Sequence, residues 1–554
     1  MKKFILPMRL LAVTLISIIL GIAGDVSAQT AQWVKQMGTG GVSNGVSSDA
    51  AGNAYATGIV SNPGLFENVV IPCQVSDVFL AKYNATGNLV WVNLGGGDLL
   101  DQANDVVTDA SGVSYVAGAI QTNSFHPTAQ FGNVTLTGKG DYDWLLVKYD
   151  AAGDVVWAKN GGSTAGDIAY AVGLDATGNV YVAGHFSGTM TVDGVTVTSA
   201  GLFDIFLAKY TPDGTLLWLK GAGGTGSDIA HGLVIDGLGN VAIVGEFQNT
   251  AFFDARSVRA SGLGDAFIAK YDSAGNNLWV HSGGSTTSFA GDPAKAVAAD
   301  SSNNFYVTGD YTGTATFDGL SVTNTGTSGT DIFVVKYNNN GAIQWLHHAG
   351  GPVSDKGYSI GVDSAGNSWV SGFAGSGPGV VFDTISLPPF GNEYIFLAKY
   401  DPAGVVQYVK QYAAGTGQDI HVLENGCLYL NGGASKGNGN EFDNISLIYV
   451  DRGGFICQFC ETLEPGCEPP PGVTASRITT NAARVTWDAM SGALSYSFQF
   501  RKVGTTRWKA KATTMTSVKL TNLLPGTSYE YQVATVCDGE TSPYSSIQVF
   551  TTLQ

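Results

Sequence analysis

The chain has 554 residues, a formal net charge of −17, 75 glycines, 11% aromatic residues and only 13% charged residues. Its apolar fraction of 44% excludes a disordered chain, and its acidic balance argues against a nucleic-acid-binding protein, which needs basic patches. A glycine-rich, aromatic-rich and weakly charged composition favours many short strands joined by tight turns.

Residues 1–28 have the pattern of a secretory signal peptide. Lys2, Lys3 and Arg9 make a positive start, and an apolar stretch runs from Leu10 to Ala23. Small residues end at Ala28, where we expect cleavage. No later run is apolar for long enough to span a bilayer. The sequence therefore predicts an exported protein, secreted or at the bacterial cell surface, with no transmembrane segment.

A pattern of about 60 residues recurs along residues 29–460, and a repeat of this length indicates a repeat architecture. Its tryptophan strand recurs at Trp33, Trp91, Trp157, Trp218, Trp279 and Trp345, with Tyr408 in the seventh place. A second segment recurs at Asp77 to Tyr83, Asp143 to Tyr149, Asp204 to Tyr210, Asp265 to Tyr271, Asp331 to Tyr337 and Tyr394 to Tyr400. A degraded seventh copy of it is expected near Leu447 to Asp451.

Each repeat divides into four short alternating runs. In the third repeat they are Ala169 to Asp175, Asn179 to Phe186, Asp204 to Tyr210 and Leu216 to Lys220. In the turns, an Asp accepts a backbone N–H and a Gly adopts the left-handed conformation. One thin sheet cannot bury both its faces, but radial stacking of seven sheets does. The repeats predict an all-β fold with a seven-bladed β-propeller over residues 29–460.

The ends of the array hold one fourth strand too many. Both the Trp33 segment and Phe455 to Phe459 fit that place. We expect the Trp33 segment to complete the seventh blade by pairing with the end of the array. Phe455 to Phe459 is then an extra strand or a tether, and the opposite assignment stays open.

These motifs resemble a known family, the bacterial seven-bladed β-propeller repeat (SBBP repeat). The matching elements are the Trp strand, the Gly-Gly crossing, Asp-x-x-Gly-Asn, Tyr-Val-x-Gly and Asp-x-Phe-Leu-Ala-Lys-Tyr. They extend over roughly residues 31–459. The resemblance implies a secreted or surface protein and no one activity.

A second module follows a proline-rich linker at residues 461–471 and occupies residues 472–554. Val485 to Trp487 and Leu520 to Val533 are similar to a fibronectin type III domain. The resemblance implies that Trp487 fills the core. It also implies that Tyr529 is a corner tyrosine whose hydroxyl bonds to upstream backbone.

The six cysteines suit an oxidising compartment. Cys467 and Cys537 bracket the second module and are the candidate disulfide. The other four lack the second ligand pair of a zinc site and are interpreted as structural: Cys73, Cys427, Cys457 and Cys460.

Three neighbouring repeats place His185, Glu246 and Asp310 directly after the Tyr-Val-x-Gly position. We predict them as ligand-binding residues. A metal or acid–base cluster is one alternative, and ordinary variation at a strand end is the other. No catalytic residue, metal ligand or cofactor is assigned. The acids before each first strand are interpreted as loop caps: Asp101, Asp167, Asp228, Asp292, Asp355 and Asp419.

Function is expected on one face of the propeller. The second-to-third segments and the blade crossings lie together there and vary in length, and such loops usually carry binding. With no catalytic motif, the sequence predicts a non-catalytic binding or adhesion scaffold for an extracellular protein or glycan. The alternatives are a polysaccharide-active enzyme, a lyase or hydrolase using the funnel, and a purely structural surface component.

Overall fold

The computed structural model describes residues 29–554 apart from 62, 68, 74, 288–290, 327–328, 376, 378, 390, 392, 435–440, 444, 447–452, 462–468, 491–492 and 538–540. The described residues form strands and turns without a helix, so the prediction of an all-β protein is confirmed. None of them builds a helix long and apolar enough to cross a membrane. The predicted signal peptide lies outside the described residues.

The chain divides into two compact units, Gln29–Glu461 and Thr462–Gln554. In the first unit, four classes of antiparallel strand each occur seven times among the described residues. The first strands are Val42–Ser48, Gln102–Thr108, Ile168–Leu174, Ile229–Ile235, Ala294–Ala299, Lys356–Val362 and the second half of Val406–Val422. The second strands are Ala54–Val60, Ser114–Gln121, Val180–Phe186, Val241–Phe247, Phe305–Tyr311, Ser368–Ala374 and Leu428–Ala434.

The third strands are Asp77–Tyr83, Tyr142–Tyr149, Asp204–Tyr210, Asp265–Tyr271, Asp331–Tyr337, Tyr394–Tyr400 and Gly453–Glu461. The fourth strands are Leu89–Gly97, Val155–Gly161, Leu216–Gly224, Asn277–Ser285, Ile343–Gly350, the first half of Val406–Val422 and Gln29–Thr39. In each set, the first strand pairs with the second, the second with the third and the third with the fourth. We number these four-stranded sheets one to seven in the order of their first strands.

The turns between first and second strands have the predicted chemistry. In sheet three, Asp175 Oδ1 accepts hydrogen bonds from the backbone N–H groups of Thr177 and Asn179, both at 3.0 Å. Gly178 takes a φ of 81°, which is the left-handed region that favours glycine. Lys209 of the repeated Lys-Tyr pair lies 3.2 Å from Asp175 Oδ2. The repeated Asp, Gly and Lys therefore close the hairpins of the sheet.

The segments between second and third strands were expected to be variable loops, but each carries a short hairpin. The hairpins are Gly64–Phe66 with Val69–Ile71, Thr128–Phe131 with Val134–Thr137, Thr189–Val192 with Val195–Thr198, Thr250–Phe253 with Arg256–Arg259, Thr314–Phe317 with Leu320–Thr323, Val381–Phe382 with Ile385–Ser386, and Glu441–Phe442 with Ile445–Ser446. In sheets one, two, four, five and six, the hairpin pairs with the fourth strand of the preceding sheet. These segments therefore link neighbouring sheets.

Sheet seven corrects one prediction and confirms another. The Trp33 segment does pair with the end of the array, because Gln29–Thr39 pairs with Gly453–Glu461. The interpretation of Phe455 to Phe459 as an extra strand or tether is wrong. That segment pairs on its other side with Leu428–Ala434 and is the third strand itself. The degraded copy expected at 447–451 lies outside the described residues.

Buried apolar side chains connect each sheet to its neighbours. Between sheets three and four, Ile205 packs in one cluster with Ile243. The last and first sheets are joined in the same way, since Tyr429 and Ile456 of sheet seven share a cluster with Val46 of sheet one. The first strands contact one another in chain order, and the first strand of sheet seven contacts that of sheet one. Each sheet is therefore covered on both faces.

A disulfide joins Cys427 to Cys460 in sheet seven, whereas Cys73 and Cys457 are free thiols. Cys537 belongs to a disulfide, and its predicted partner Cys467 lies outside the described residues. The structural interpretation of the Cys427–Cys460 pair is thus confirmed, although its connectivity was not predicted.

The double variant Cys427→Ser and Cys460→Ser is expected to lower the free energy of unfolding by about 2–4 kcal/mol, the usual effect of losing a disulfide. Urea unfolding monitored by circular dichroism measures this loss. Cys73→Ser, which removes a free thiol, is the matched control and should leave the midpoint unchanged. Equal midpoints for the double variant and the control would contradict a stabilising role of this disulfide.

The unit Thr462–Gln554 is a two-sheet β-sandwich. One sheet contains Thr474–Ser476, Ala483–Thr486 and Ser517–Leu520, and the other contains Lys509–Thr513, Ser495–Lys502, Ser528–Val536 and Gln548–Thr551. Trp487 is buried in the core between them, as predicted. The Tyr529 hydroxyl accepts a hydrogen bond of 2.9 Å from the Leu524 backbone N–H, which confirms the corner tyrosine.

Tyr529→Phe is expected to destabilise this sandwich by about 1–2 kcal/mol, because the Leu524 N–H loses its acceptor while the ring packing is kept. The decrease in unfolding midpoint of the sandwich measures this effect. Tyr544→Phe is a suitable control, since Tyr544 is exposed and its hydroxyl makes an exposed hydrogen bond with the Ser497 hydroxyl. A loss no larger than that of the control would argue against the corner bond.

Candidate functional site

The first strands surround a cavity of about 620 Å³ in the unit Gln29–Glu461. Each first strand has a register shift near its start, where the strand carries one residue more than its partner. Such bulges redirect side chains. The seven extra residues all line the cavity, and every one is polar or aromatic: Asn44, Asn104, Tyr170, His231, Lys295, Tyr358 and Gln418. We call them the bulge ring.

The two ends of the cavity differ in polarity. The bulge ring lies near the start of the first strands, at the same end as the connections that lead from one sheet to the next. Toward the other end, the lining becomes mainly apolar, with Val106, Leu233, Ile235, Ile360 and Val422 among its residues. The residues at the end of each second strand pair with the start of the first strand, as His185 does with Ile168. The three predicted ligand-binding residues therefore lie at this end of their strands, but none of them is among the residues that line the cavity.

Glu246 is part of a charged contact with two members of the bulge ring. His231 Nε2 lies 3.5 Å from Glu246 Oε1 and 3.4 Å from Lys295 Nζ. Burial, reinforced by Lys295, lowers the pKa of His231, which keeps its ring neutral at neutral pH. Burial opposes ionisation of Glu246, but His231 and Lys295 outweigh it and hold the pKa of Glu246 below its usual value.

Asp310 lies beside a second lysine. Its Oδ2 is 3.8 Å from Lys356 Nζ, and its side chain is almost completely buried, whereas Lys356 is 35% exposed. Burial raises the pKa of Asp310 to about 6, although Lys356 and Lys295 act against that rise. Asp310 Oδ1 has no hydrogen-bond partner among the described residues.

His185 is surrounded by aromatic rings rather than by charged groups. Its ring centroid lies 4.6 Å from that of Phe203 and 5.6 Å from that of Tyr170. Burial lowers the pKa of His185 to about 4, so the ring is neutral at neutral pH. In the described part of the chain, no hydrogen bond or ion pair joins any two of His185, Glu246 and Asp310. The structure therefore places Glu246 near His231 and Lys295, and it places Asp310 beside Lys356. His185 contacts aromatic rings at the edge of these charged residues.

The six acids before the first strands are here called the crossing acids, and five of them cap loops as predicted. Asp167 is typical, because its two carboxylate oxygens accept from the backbone N–H groups of Ser163 and Ser187. The same double contact is made by Asp101, Asp228, Asp292 and Asp355. Asp419 is the exception. It follows the bulge residue Gln418, and its Oδ2 accepts from the Val46 N–H of the neighbouring sheet at 2.9 Å.

The bulge ring was not identified from the sequence, although a signal for it exists. In sheets two to six, the third residue after each crossing acid belongs to the ring, as in Asp228 and His231. The residues on either side of this column are mostly small or aliphatic, while the column itself is polar or aromatic. Within the described ranges, no group of three or more His, Cys, Asp or Glu residues is placed to hold a metal ion.

Comparison with known families identifies the C-terminal module. The fibronectin type III domain model matches residues 468–550, so this part of the chain is a fibronectin type III domain. Such domains are typically binding modules without catalytic activity. The fibronectin type III domain of human contactin 1 is a similar solved structure, 22% identical, covering 16% of this chain and 78% of that one, with a TM-score of 0.15.

Two curated proteins are similar to part of the chain. An uncharacterized WD repeat-containing protein of Acanthamoeba polyphaga mimivirus is 27% identical over 282 residues, which are 43% of this chain and 20% of that protein. Regulatory protein FlaEY of Caulobacter vibrioides is 25% identical over 239 residues, 40% of this chain and 24% of that protein. The chain thus covers a quarter or less of the length of these relatives.

Proposed function

We propose that residues 29–461 form a seven-bladed β-propeller of the SBBP type whose first strands are innermost. Three observations support this architecture: the seven four-stranded sheets, the contacts of successive first strands, and the core shared by sheets seven and one. The similarity to a WD repeat-containing protein agrees with a propeller-like repeat.

The proposed function is binding, without catalysis, of an extracellular protein or glycan at the polar end of the cavity. The observation that carries it is the bulge ring, because seven strands of similar sequence each direct a polar or aromatic side chain, of five kinds in all, into one space. A purely structural cavity would favour repeated apolar residues there, as at its other end. The fibronectin type III domain is proposed to present this unit at the cell surface.

Export of the chain after cleavage at Ala28 is part of the proposal. The Cys427–Cys460 disulfide supports it, since disulfides persist in oxidising compartments. Fractionation of the producing cells, with N-terminal sequencing of the exported protein, tests it. A chain that keeps its first 28 residues in the cytoplasm would contradict it.

Binding is tested with the full chain on an array of glycans and of extracellular proteins. Val362→Ala, at the apolar end of the cavity, is a suitable comparison with Tyr358→Ala, at the polar end. Tyr358→Ala should weaken the strongest signal at least about tenfold, the effect of losing about 1.4 kcal/mol of binding energy, and Val362→Ala should not. Release of a cleaved product from the bound glycan would favour the polysaccharide-active enzyme instead. Signals that neither variant changes would contradict a ligand in the cavity.

A further inference from the structure

Basic and acidic groups alternate around one side of the polar end of the cavity. His231 and Lys295 line the cavity, and Glu246, Asp310 and Lys356 lie beside them without being among its lining residues. These five residues, from sheets four, five and six, are here called the charged sector. Lys295 Nζ and Glu246 Oε1 both approach His231 Nε2, while Lys356 Nζ approaches Asp310 Oδ2. The two lysine ammonium groups are matched by two carboxyl groups, so the sector as a whole attracts neither an anion nor a cation.

Distances within the charged sector show that its groups do not satisfy one another. The three contacts measure 3.4, 3.5 and 3.8 Å. Direct charge-assisted hydrogen bonds are shorter, at about 2.7–2.9 Å. Elsewhere in the same chain, the structural Lys270 approaches Asp236 Oδ2 to 2.7 Å. This chain can thus form short lysine–carboxylate pairs, but none of the three contacts in the charged sector is that short.

Unused hydrogen-bonding capacity remains on both signs of charge. Among the described residues, Lys295 Nζ has His231 as its one hydrogen-bond partner, although an ammonium group carries three donors. The Glu246 carboxylate contacts His231 Nε2 at 3.5 Å, which is longer than a charge-assisted hydrogen bond, and its side chain is 29% exposed. A polar group without a full set of partners costs stability unless something else satisfies it. A ligand that both accepts from the lysines and donates to Glu246 fits this requirement.

Two tyrosines of the bulge ring flank the charged sector. Tyr170 lies in sheet three and Tyr358 in sheet six, and both line the cavity. Tyr170 packs against His231 with a centroid distance of 5.4 Å, and Tyr358 packs against Phe373 at 5.9 Å. These contacts restrict the rings. Ligand sites typically combine such aromatic walls with a few placed polar groups.

We propose that the polar end of the cavity binds a short, uncharged oligosaccharide, whose hydroxyl groups bridge Lys295 and Lys356 to Glu246 while its rings lie against Tyr170 and Tyr358. A hydroxyl group donates and accepts at once, which is what alternating ammonium and carboxylate groups require. The volume of about 620 Å³ lies within the range of small-ligand sites. This inference rests on the proposed binding function and specifies its ligand class.

The test uses the full chain on an array of neutral, uronate-bearing and sulfated oligosaccharides, followed by calorimetric titration of the strongest neutral probe. Lys295→Met and Glu246→Gln should each weaken its binding at least about tenfold, because each removes one side of the hydroxyl bridge. Lys159→Met is the matched control: Lys159 pairs with Asp193 at 3.2 Å on an outer strand. It should bind as the unsubstituted chain does. Equal unfolding midpoints of the three variants exclude misfolding as the cause.

Other outcomes overturn the inference in distinguishable ways. Binding of charged oligosaccharides alone, weakened by Lys295→Met and strengthened by Glu246→Gln, would show an anion site and leave the proposed binding function intact. Neutral binding that neither substitution alters would place the ligand elsewhere. Binding of an extracellular protein, without binding of any oligosaccharide, would refute the ligand class alone. Absence of binding on both arrays would refute the proposed function as well.

Discussion

Trp33→Ala is expected to lower the free energy of unfolding of the full chain by about 3–5 kcal/mol, the usual cost of truncating a buried tryptophan. Trp33 lies in Gln29–Thr39, the N-terminal strand of the described residues, yet it is only 8% exposed. Its ring packs on Tyr83 of sheet one and Tyr429 of sheet seven, with centroid distances of 6.4 and 5.7 Å. Its Nε1 donates to the Ala85 carbonyl oxygen at 3.2 Å. The N-terminal strand should therefore hold the two ends of the array together.

Urea unfolding of the N-terminal unit, followed by circular dichroism, measures this loss. Gln32→Ala is the matched control on the same strand, because Gln32 is exposed and its side chain bonds, among the residues that the structure describes, to nearby Thr30 alone. It should change stability by no more than about 0.5 kcal/mol. If Trp33→Ala costs as little as the control, the strand Gln29–Thr39 does not contribute to closing sheet seven.

The second prediction concerns pH: the free energy of unfolding should fall by at least about 2 kcal/mol between pH 5 and pH 8. Six glycine positions lie beside an Asp near the start of a third strand, and at three of them a crossing acid also approaches. A methyl group added to Gly162 would lie 2.5 Å from Asp143 Oδ1 and 2.7 Å from Asp167 Oδ2, so both carboxylates face one small space. Burial raises the pKa of Asp167 to about 6 and that of Asp101, Asp228 and Asp355 to about 7.

The sign follows from the raised pKa values. In the unfolded chain an Asp releases its proton near pH 4, whereas these folded carboxyls keep theirs until pH 6–7. The stability that these protonated carboxyl groups provide is complete below the pKa of Asp in the unfolded chain. It is lost as the pH rises through the higher pKa of the same groups in the folded chain. Unfolding midpoints in urea across this pH range give the slope directly.

Asp143→Asn sharpens this test, because the amide removes one of two facing charges and offers a donor to Asp167. We expect it to raise stability by about 1 kcal/mol at pH 8, the net worth of one hydrogen bond, and to flatten the slope. Asp143→Ala is the control, since it also removes the acceptor of the Lys139 N–H, and should destabilise the protein. Stability that stays level or rises from pH 5 to pH 8 would contradict the facing-carboxylate account.

Turn chemistry made most of the strands predictable. In sheet three the first strand was predicted from Ala169 and begins at Ile168, because Asp175 and Gly178 fix the turn and hence the register. The fourth strand was predicted to end at Lys220 but continues to Gly224. Its last two residues pair with Phe252 and Ala251, in the outer hairpin of sheet four. This extension depends on a neighbouring sheet, so local sequence could not reveal it.

Sheet seven was assigned incorrectly because its third strand has lost the acid and the Lys-Tyr pair. Gly453–Glu461 nevertheless keeps the order of side chains, since Phe455 to Phe459 reads Phe-Ile-Cys-Gln-Phe where sheet three has Phe-Leu-Ala-Lys-Tyr. Gln458 stands where the other sheets have a lysine. The turn of sheet seven, in which the Leu423 N–H donates to the Cys427 carbonyl oxygen, begins with Leu423 where the corresponding turns of the other sheets begin with an Asp. These two replacements together obscured the repeat.

The candidate site was only partly predictable. Glu246 and Asp310 interrupt a repeated column at a strand end, which is visible in the sequence. The bulge ring lies on the first strands, which pair with the second strands that carry Glu246 and Asp310. It was not predicted because regular alternation assigns successive side chains of a strand to opposite faces of the sheet. The extra residue at each bulge, such as Lys295 between Ala294 and Ala296, breaks that parity and reaches the cavity. A bulge depends on how two strands pair, so it cannot be predicted from the sequence of one strand alone.

Hydrogen exchange of the full chain, with and without its strongest-binding oligosaccharide, tests most directly whether the polar cavity end is the ligand site. The account predicts slower exchange at residues 168–172, 229–233, 294–298 and 356–360, around the bulge residues of sheets three to six, with little change in the fibronectin type III domain. Protection limited to that domain, or to the turns between first and second strands, would contradict it.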